Sequence, residues 1–142
     1  MRLFRAAALS AFFVFAGSAS AQNALPREHH NVSISTGREG RLAYYASPDA
    51  ACRHGTKPAI AILEEPSYGK IVMRPERLIA TGSSVPPRAS NCRGKFADAI
   101  SVYFKPAAGF HGSDRAVLRV DFPAAANGPA WSLVDVIYIS VR

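Results

Sequence analysis

The stretch that decides the fold is 99-AISVYFKPAAGFHGSDRAVLRVDF-122, in which two alternating segments flank a turn containing proline and glycine. Hydrophobic and polar residues alternate through both segments. The hydrophobic set consists of Ile100, Val102, Phe104, Leu118, Val120 and Phe122. A period of two residues is what half-buried antiparallel strands require. We therefore predict two strands whose hydrophobic sets face a common core.

Similar short runs, rich in Val, Ile, Tyr and Phe, occur on both sides of this stretch and are separated by Gly, Pro, Asn and Ser. Together with the two segments of the opening stretch, they make seven runs: 32–35, 41–47, 59–63, 70–74, 99–105, 115–122 and 132–141. In the last run, Ile137, Ile139 and Val141 are the better inward set. Short strands at this spacing, without a long helical period, predict an all-β fold: one antiparallel β-sandwich of about seven strands.

Two other segments interrupt this pattern. Ser47 is a suitable cap for a short helical turn over 47–53 that begins at Pro48. Segment 81–91 is rich in Gly, Ser and Pro and predicts a long loop. Long ordered loops are often functional, so this loop is a candidate for contact with a partner.

Composition limits the class of protein. The chain has 142 residues, of which 49% are hydrophobic, and a formal net charge of +7. These values suit one globular domain and exclude collagen, coiled coil, acidic disordered protein and polytopic membrane protein.

Residues 1–21 have the three parts of a secretory signal. Arg2 and Arg5 form the positive start, residues 6–16 are almost entirely apolar, and 19-ASA-21 supplies small residues for cleavage. The apolar part is too short to cross about 30 Å of hydrocarbon as a helix. The sequence therefore predicts export, with no transmembrane segment and a periplasmic or secreted product.

Cleavage after the signal places the start of the mature chain at Gln22. Segment 22–31 is polar and contains Pro26, so we predict a flexible lead-in followed by a sandwich domain over 32–142.

Cys52 and Cys92 are the only two cysteines. An even count in an oxidising compartment predicts a disulfide. It would close a loop of about 40 residues and stabilise the fold by about 4 kcal/mol through chain entropy. The alternative is a redox or metal-binding pair, but redox pairs usually form Cys-x-x-Cys, and two distant thiols are too few for structural zinc.

The segment 102-VYFKPAAGFHGSD-114 resembles the Y-x-P-x-x-G-F-x-G-x-D signature of bacterial Ig-like, cadherin-like domains, which recur in secreted and surface proteins of bacteria. Segment 66-PSYGKIV-72 is similar to the strand entry of that family, and 136-VIYISV-141 to its closing strand. The resemblance implies an Ig-like sandwich.

The signature residues have structural roles and imply no chemistry. Pro106 can end a strand because proline donates no ladder hydrogen bond. Gly109 and Gly112 permit a positive φ in a tight corner. Phe110 would close the end of the sandwich, and Asp114 can accept backbone N–H bonds across the turn.

No enzyme class is indicated. The chain contains neither Gly-x-Ser-x-Gly nor His-Glu-x-x-His, and a disulfide would leave no free cysteine nucleophile. We predict no catalytic activity and no cofactor. A small periplasmic metal-handling protein is an alternative, because imidazole suits copper and zinc. Its candidate ligands are His29, His30, His54 and His111.

The segment 74–95 carries most of the net charge. Its basic residues, set against Glu76 alone, are Arg74, Arg77, Arg88, Arg93 and Lys95. Such a region can meet an anionic partner, such as a lipid headgroup, a cell-wall polymer or an acidic protein, or it can serve solubility alone. Nucleic acid is not expected for an exported chain without aromatic interleaving there.

The sequence thus predicts an exported, non-catalytic Ig-like module that binds an anionic envelope component or another envelope protein. A third hypothesis is an accessory subunit whose exposed sheet edge pairs with a partner strand. The sequence does not indicate the oligomeric state.

Overall fold

The computed structural model describes residues 24–142, without the side chain of Ser83, and the predicted signal at 1–21 lies outside the described residues. All seven predicted strands form. They are β1 Arg27–Ile34, β2 Gly40–Ala46, β3 Ala59–Glu64, β4 Gly69–Ile79, β5 Phe96–Pro106, β6 Gly112–Phe122 and β7 Trp131–Val141. Between β4 and β5 lie two 3-10 helices, Gly82–Ser84 and Pro87–Cys92.

The strands form two sheets, ordered β1-β7-β6-β3 and β2-β5-β4. Ig constant-type sandwiches pair strands A, B, E and D in one sheet and C, F and G in the other. Taken in chain order, β2-β5-β4 correspond to B, E and D, and β7-β6-β3 to G, F and C. The fold is therefore an Ig-like β-sandwich, as predicted, except that its first strand joins the other sheet.

That first strand corrects two predictions. β1 pairs with β7 in parallel, so the sandwich is not wholly antiparallel. The strand also begins at Arg27, within the segment 22–31 predicted to be flexible. The Val134 N–H donates to Pro26 O at 2.8 Å, and pairing runs from there to Ile34. Main-chain hydrogen bonds hold β1 at this edge of the sheet and do not depend on which side chains it carries. The hydropathy of the sequence therefore does not reveal this strand.

The predicted inward faces of β6 and β7 are buried between the two sheets. Their core residues are Leu118, Val120, Phe122, Ile137, Ile139 and Val141. Val102 and Phe104 of β5 join them, whereas Ile100 is only half-buried. The alternation in the sequence therefore identified the core residues of these strands correctly, except for Ile100.

β5 also contributes to a second apolar cluster. Ala97 and Ala99 have the opposite parity to Val102 and Phe104, so they project from the other face of the strand. The connection 80–95 packs there through residues that include Val85 and Ala89. Because the strand residues are alanines, the connection can approach the sheet closely.

The predicted disulfide between Cys52 and Cys92 forms and belongs to this second cluster. The helical turn predicted over 47–53 does not form as a helix. Cys52 has a positive φ of 61°, outside the helical region, and its N–H donates to Asp49 O at 2.9 Å. The chain makes a tight turn there that brings the sulfur to Cys92.

The corner between β5 and β6 contains the signature residues. β5 ends at Pro106, and Gly109 and Gly112 have φ values of 75° and 131°. The Phe110 ring stacks on Tyr68 with 4.6 Å between the ring centroids. The corner thus closes this end of the sandwich against the β3–β4 connection.

Asp114 ties the same corner to the β3–β4 connection. Its Oδ1 accepts the Ser67 N–H at 2.9 Å, and its Oδ2 accepts the Tyr68 N–H at 2.8 Å. Oδ1 also accepts the N–H of Arg115 at 2.8 Å. One carboxylate therefore fixes backbone from two distant parts of the chain.

The disulfide should contribute mainly through chain entropy. Replacing both cysteines with alanine (C52A/C92A) should lower the free energy of unfolding by about 4 kcal/mol. Urea denaturation of the variant and of the parent will measure the difference. The parent treated with reductant is the control and should lose a similar amount. A loss under 1 kcal/mol in both would contradict this role.

Removing the corner carboxylate should also destabilise the fold. Asp114→Ala leaves two backbone N–H groups of the β3–β4 connection without their charged acceptor, and should lower the free energy of unfolding by about 2 kcal/mol. Asp121→Ala is the matched control. Within residues 24–142 Asp121 accepts bonds only from the side chains of Arg119 and Ser132, so its loss should cost under about 1 kcal/mol. Equal losses in urea denaturation would contradict the corner role.

Candidate functional site

Three connections meet at one end of the sandwich, which we call the loop end. They are 47–58 between β2 and β3, 80–95 between β4 and β5, and 123–130 between β6 and β7. The disulfide joins the first two, with 5.1 Å between the Cα atoms of Cys52 and Cys92. The loop end is thus a covalently braced surface made of segments distant in sequence.

Arg88 ties the third connection to the other two. Its guanidinium donates to Pro129 O at 2.9 Å, to Pro123 O at 2.7 Å and to Ser47 Oγ at 2.8 Å. A Cβ added at Gly128 would lie only 2.8 Å from Arg88 Cβ, so the chain passes closely over this side chain. Burial lowers the pKa of Arg88. Arg88, which the sequence predicted as a partner contact, therefore has both outer nitrogens engaged within the fold.

Arg74 is also engaged within the chain. Its guanidinium makes a bidentate pair with Glu39, at 2.5 and 2.9 Å, and lies 4.8 Å from the centroid of the Tyr103 ring. The bond to Glu39 raises the pKa of Arg74. This arginine lies in the middle of β4, away from the loop end, and its charge is compensated.

Arg77 lies closer to the loop end but shares a carboxylate with a histidine. Its Nη1 is 3.6 Å from Asp98 Oδ1, and His54 Nδ1 is 2.8 Å from Asp98 Oδ2. The hydrogen bond from His54 is the main cause that lowers the pKa of Asp98. Arg77 therefore adds little net charge to this surface.

Arg93 and Lys95 remain exposed at the loop end, and the structure adds Arg53 and Lys57 to them. Arg53 follows Cys52 and Arg93 follows Cys92, so the disulfide holds the two arginines near each other. Arg93 Nε donates to Gly82 O at 3.2 Å, which leaves the outer nitrogens free to bind. We call Arg53, Lys57, Arg93 and Lys95 the basic surface.

Sequence reasoning missed half of this surface because it followed one continuous segment. The signal was present in the cysteines. A predicted disulfide makes the residues that follow each cysteine neighbours in space, and Arg53 and Arg93 both occupy that position.

An exposed apolar patch lies beside the basic surface. The side chains of Ile79 and Phe96, paired across β4 and β5, are 45% and 57% exposed. They line an open concavity of about 440 Å³ together with Arg41, Tyr44, Leu78 and Thr81. Phe96 directly follows Lys95, so aromatic and cationic groups are adjacent here.

The four histidines do not converge. His29 stacks on Tyr138, His30 approaches Asp135, His54 pairs with Asp98, and His111 Nδ1 lies 2.9 Å from Thr36 Oγ1. Within residues 24–142 no three His, Cys, Asp or Glu side chains are placed to share a metal ion. The metal-handling alternative therefore gains no geometric support.

The sheet-edge hypothesis has a better candidate in β3. This strand pairs only with β6, and its residues before Glu64 are uncharged. Leu63 is 57% exposed. A register shift between Ile62 and Glu64, however, interrupts the regular edge that an added strand would need.

The most unusual group in the core is Asp135. It lies on β7 with the parity of Leu133 and Ile137, is 1% exposed, and faces the opposite sheet. The Tyr45 hydroxyl of β2 donates to Asp135 Oδ2, so this bond joins the two sheets across the core. Sequence reasoning read the inward set from Ile137 onward and missed the carboxylate two positions earlier.

Burial raises the pKa of both groups in this pair. Desolvation raises the pKa of Asp135, while the Tyr45 hydrogen bond and the nearby His30 oppose that shift. Desolvation, and then the Asp135 charge, raise the pKa of Tyr45, which stays a neutral donor. The carboxylate is thus held in the core at an electrostatic cost.

Comparison with known proteins finds weak structural similarity. No protein-family model and no curated protein matches the chain. Among solved structures, that of amebosin aligns with 84% of this chain and 99% of its own, at 11% identity and a TM-score of 0.39. PbICP-C in complex with falcipain-2 aligns over 84% and 92%, at 14% identity and a TM-score of 0.39. At such values the alignments do not extend to function.

Membrane crossing by a helix is not indicated either. None of the helices between residues 24 and 142 has the length and hydrophobicity needed to span a bilayer.

Asp135 should make the fold less stable as pH rises. In the unfolded chain the carboxyl group of Asp135 ionises near pH 4. In the folded chain it keeps its proton until the pH passes its raised pKa. The free energy of unfolding therefore falls as pH rises between these two pKa values. Asp135→Asn keeps an acceptor for Tyr45 and should abolish this fall. Urea denaturation between about pH 2 and pH 8 will measure it and will also cover the range in which the control below responds.

The control is Asp98→Asn. The pKa of Asp98 is lowered in the folded chain. The stability that Asp98 contributes is therefore present above its unfolded pKa and is lost as pH falls through its folded pKa, so its effect on the pH dependence of stability has the opposite sign to that of Asp135. If Asp135→Asn left the pH profile unchanged, the cost assigned to the buried carboxylate would be wrong.

Proposed function

We propose that this chain is an exported, non-catalytic Ig-like module that docks on an anionic lipid surface of the cell envelope through its loop end. The observation that carries the proposal is the placement of the basic surface around the disulfide, next to exposed Phe96 and Ile79. Arg74, Arg77 and Arg88, whose charges or donors are already engaged, are not part of the proposed contact.

Electrostatics supply the attraction. A lysine or arginine close to an anionic leaflet contributes about 1 kcal/mol of binding. In the described chain, none of the four side chains of the basic surface forms an ion pair. Their charges are therefore available to lipid phosphates.

The apolar patch supplies the second component of binding. Aromatic and aliphatic side chains enter the boundary between headgroups and acyl chains, and such insertion adds to the attraction between charges. Phe96 and Ile79 are exposed at the same end of the sandwich as Arg93 and Lys95. A purely solubilising basic loop would not need them.

Export and the absence of catalysis rest on separate observations. A buried disulfide suits an oxidising compartment. The resemblance to bacterial Ig-like domains agrees with the contacts of the corner residues, among them Asp114. The exposed groups of the basic surface are cations, which attract anions but do not form a nucleophile with its base.

Vesicle binding tests the proposal. The full chain, expressed with its own N-terminal segment and purified under oxidising conditions, is mixed with vesicles containing phosphatidylglycerol or only phosphatidylcholine. Arg93→Gln with Lys95→Gln should weaken binding to the anionic vesicles about 30-fold. Phe96→Ser should weaken it without changing the salt dependence.

The matched control removes the same charge elsewhere. Lys70 and Lys105 face each other across β4 and β5 at the opposite end of the sandwich. Lys70→Gln with Lys105→Gln should leave binding within about threefold of the parent, because these groups would lie beyond a Debye length of about 8 Å from the membrane. Equal weakening by both double variants, or equal binding to both vesicle types, would overturn the proposal.

A further inference from the structure

We propose that a cavity lined by β1, β2 and β7 binds a small ligand carrying a protonated primary amine, with its ammonium group on Oδ1 of Asp135. This site is separate from the basic surface and does not depend on the proposed lipid docking.

The cavity has a volume of about 300 Å³. Its lining consists of His30, residues 41–45, Thr81, Gly82, Ser84 and Asp135. β1 and β2 are edge strands of different sheets, since each pairs with one neighbour only. A register shift between Arg41 and Ala43 marks a bulge in β2 at the cavity wall. Bulges are common beside binding sites, where they redirect side chains.

Asp135 lines this cavity and carries an unsatisfied acceptor that has almost no exposed surface. Tyr45 donates to Oδ2, but Oδ1 has no hydrogen-bond partner within the described chain. His30 Nε2 is 3.4 Å from Oδ1, and the His30 side chain is 37% exposed. A buried carboxylate oxygen without a donor is costly, and a ligand that brings a charged donor removes that cost.

The lining selects an amine over other ligands. A metal ion would need more ligands than Asp135 and His30 supply, and an anion would be repelled by the carboxylate. An ammonium matches both the charge of Asp135 and the donor that Oδ1 lacks. The small volume limits the ligand to a few heavy atoms beyond the amine.

The charges around Asp135 give binding a pH dependence. From β1, Glu28 raises the pKa of Asp135 and His29 and His30 lower it. From β2, Tyr45 is its donor, while Arg41 is 3.4 Å from Glu76 and turned to that partner. An ammonium favours the ionised carboxylate, so affinity should increase as pH rises through the pKa of Asp135.

The test uses n-butylammonium as the probe, followed by amide chemical shifts of the full chain at pH 7.5. Its neutral analogue n-butanol and its anionic analogue butyrate are the matched probes. Saturable shifts at Leu42, Tyr44 and Thr81 are expected with n-butylammonium, with at least tenfold weaker binding of the other two.

Two variants locate the ammonium. Asp135→Asn should reduce affinity for n-butylammonium at least about tenfold, the loss expected for one charge-assisted hydrogen bond. Asp98→Asn, which removes an exposed carboxylate also paired with a histidine, should not change it. If Asp135→Asn fails to fold, Ala43→Leu places a larger side chain at the cavity wall and should also abolish binding.

Three results would overturn the proposal. They are equal affinity for n-butylammonium and n-butanol, unchanged binding in Asp135→Asn or in Ala43→Leu, and shifts that do not saturate or that map outside the cavity. None of them bears on lipid docking, which the vesicle assay measures independently.

Discussion

The bond between Cys52 and Cys92 is the constraint on which the loop end depends. The connection 80–95 is long, contains only short 3-10 helices, and covers a face of β5 that is lined by alanines. Ordering such a segment has a cost in conformational entropy. A covalent link to the β2–β3 connection removes much of the entropic cost. Arg88 then extends the bracing to the β6–β7 connection.

The same bracing divides the basic residues into two groups. Arg88 must point inward to satisfy backbone carbonyls, and therefore cannot also meet a partner. Arg53 and Arg93 follow the bridged cysteines and are turned to solvent. A count of charges along the sequence gives these residues equal weight. Only the contacts separate charge used within the fold from charge available for binding.

Sequence reasoning reached the sandwich, the inward faces and the disulfide because these depend on local patterns. Alternation in β5 and β6 and the cysteine count carry that information directly. It failed where order comes from elsewhere. The β1 strand is held at Arg27 by main-chain pairing with β7, which leaves no trace in hydropathy. The basic surface combines two connections, and its composition depends on a contact between residues 40 positions apart.

Asp135 presents the opposite case, a residue whose electrostatic cost is visible in the structure and only partly offset there. A core position between Leu133 and Ile137 would be filled at lower cost by an aliphatic side chain, which needs no donor. The bond from Tyr45 to Oδ2 recovers part of the desolvation penalty and joins the sheets. It leaves Oδ1 buried beside the cavity without a hydrogen-bond partner in the described chain. An uncompensated acceptor of this kind carries a desolvation cost, which is the cost that the proposed ammonium ligand would remove.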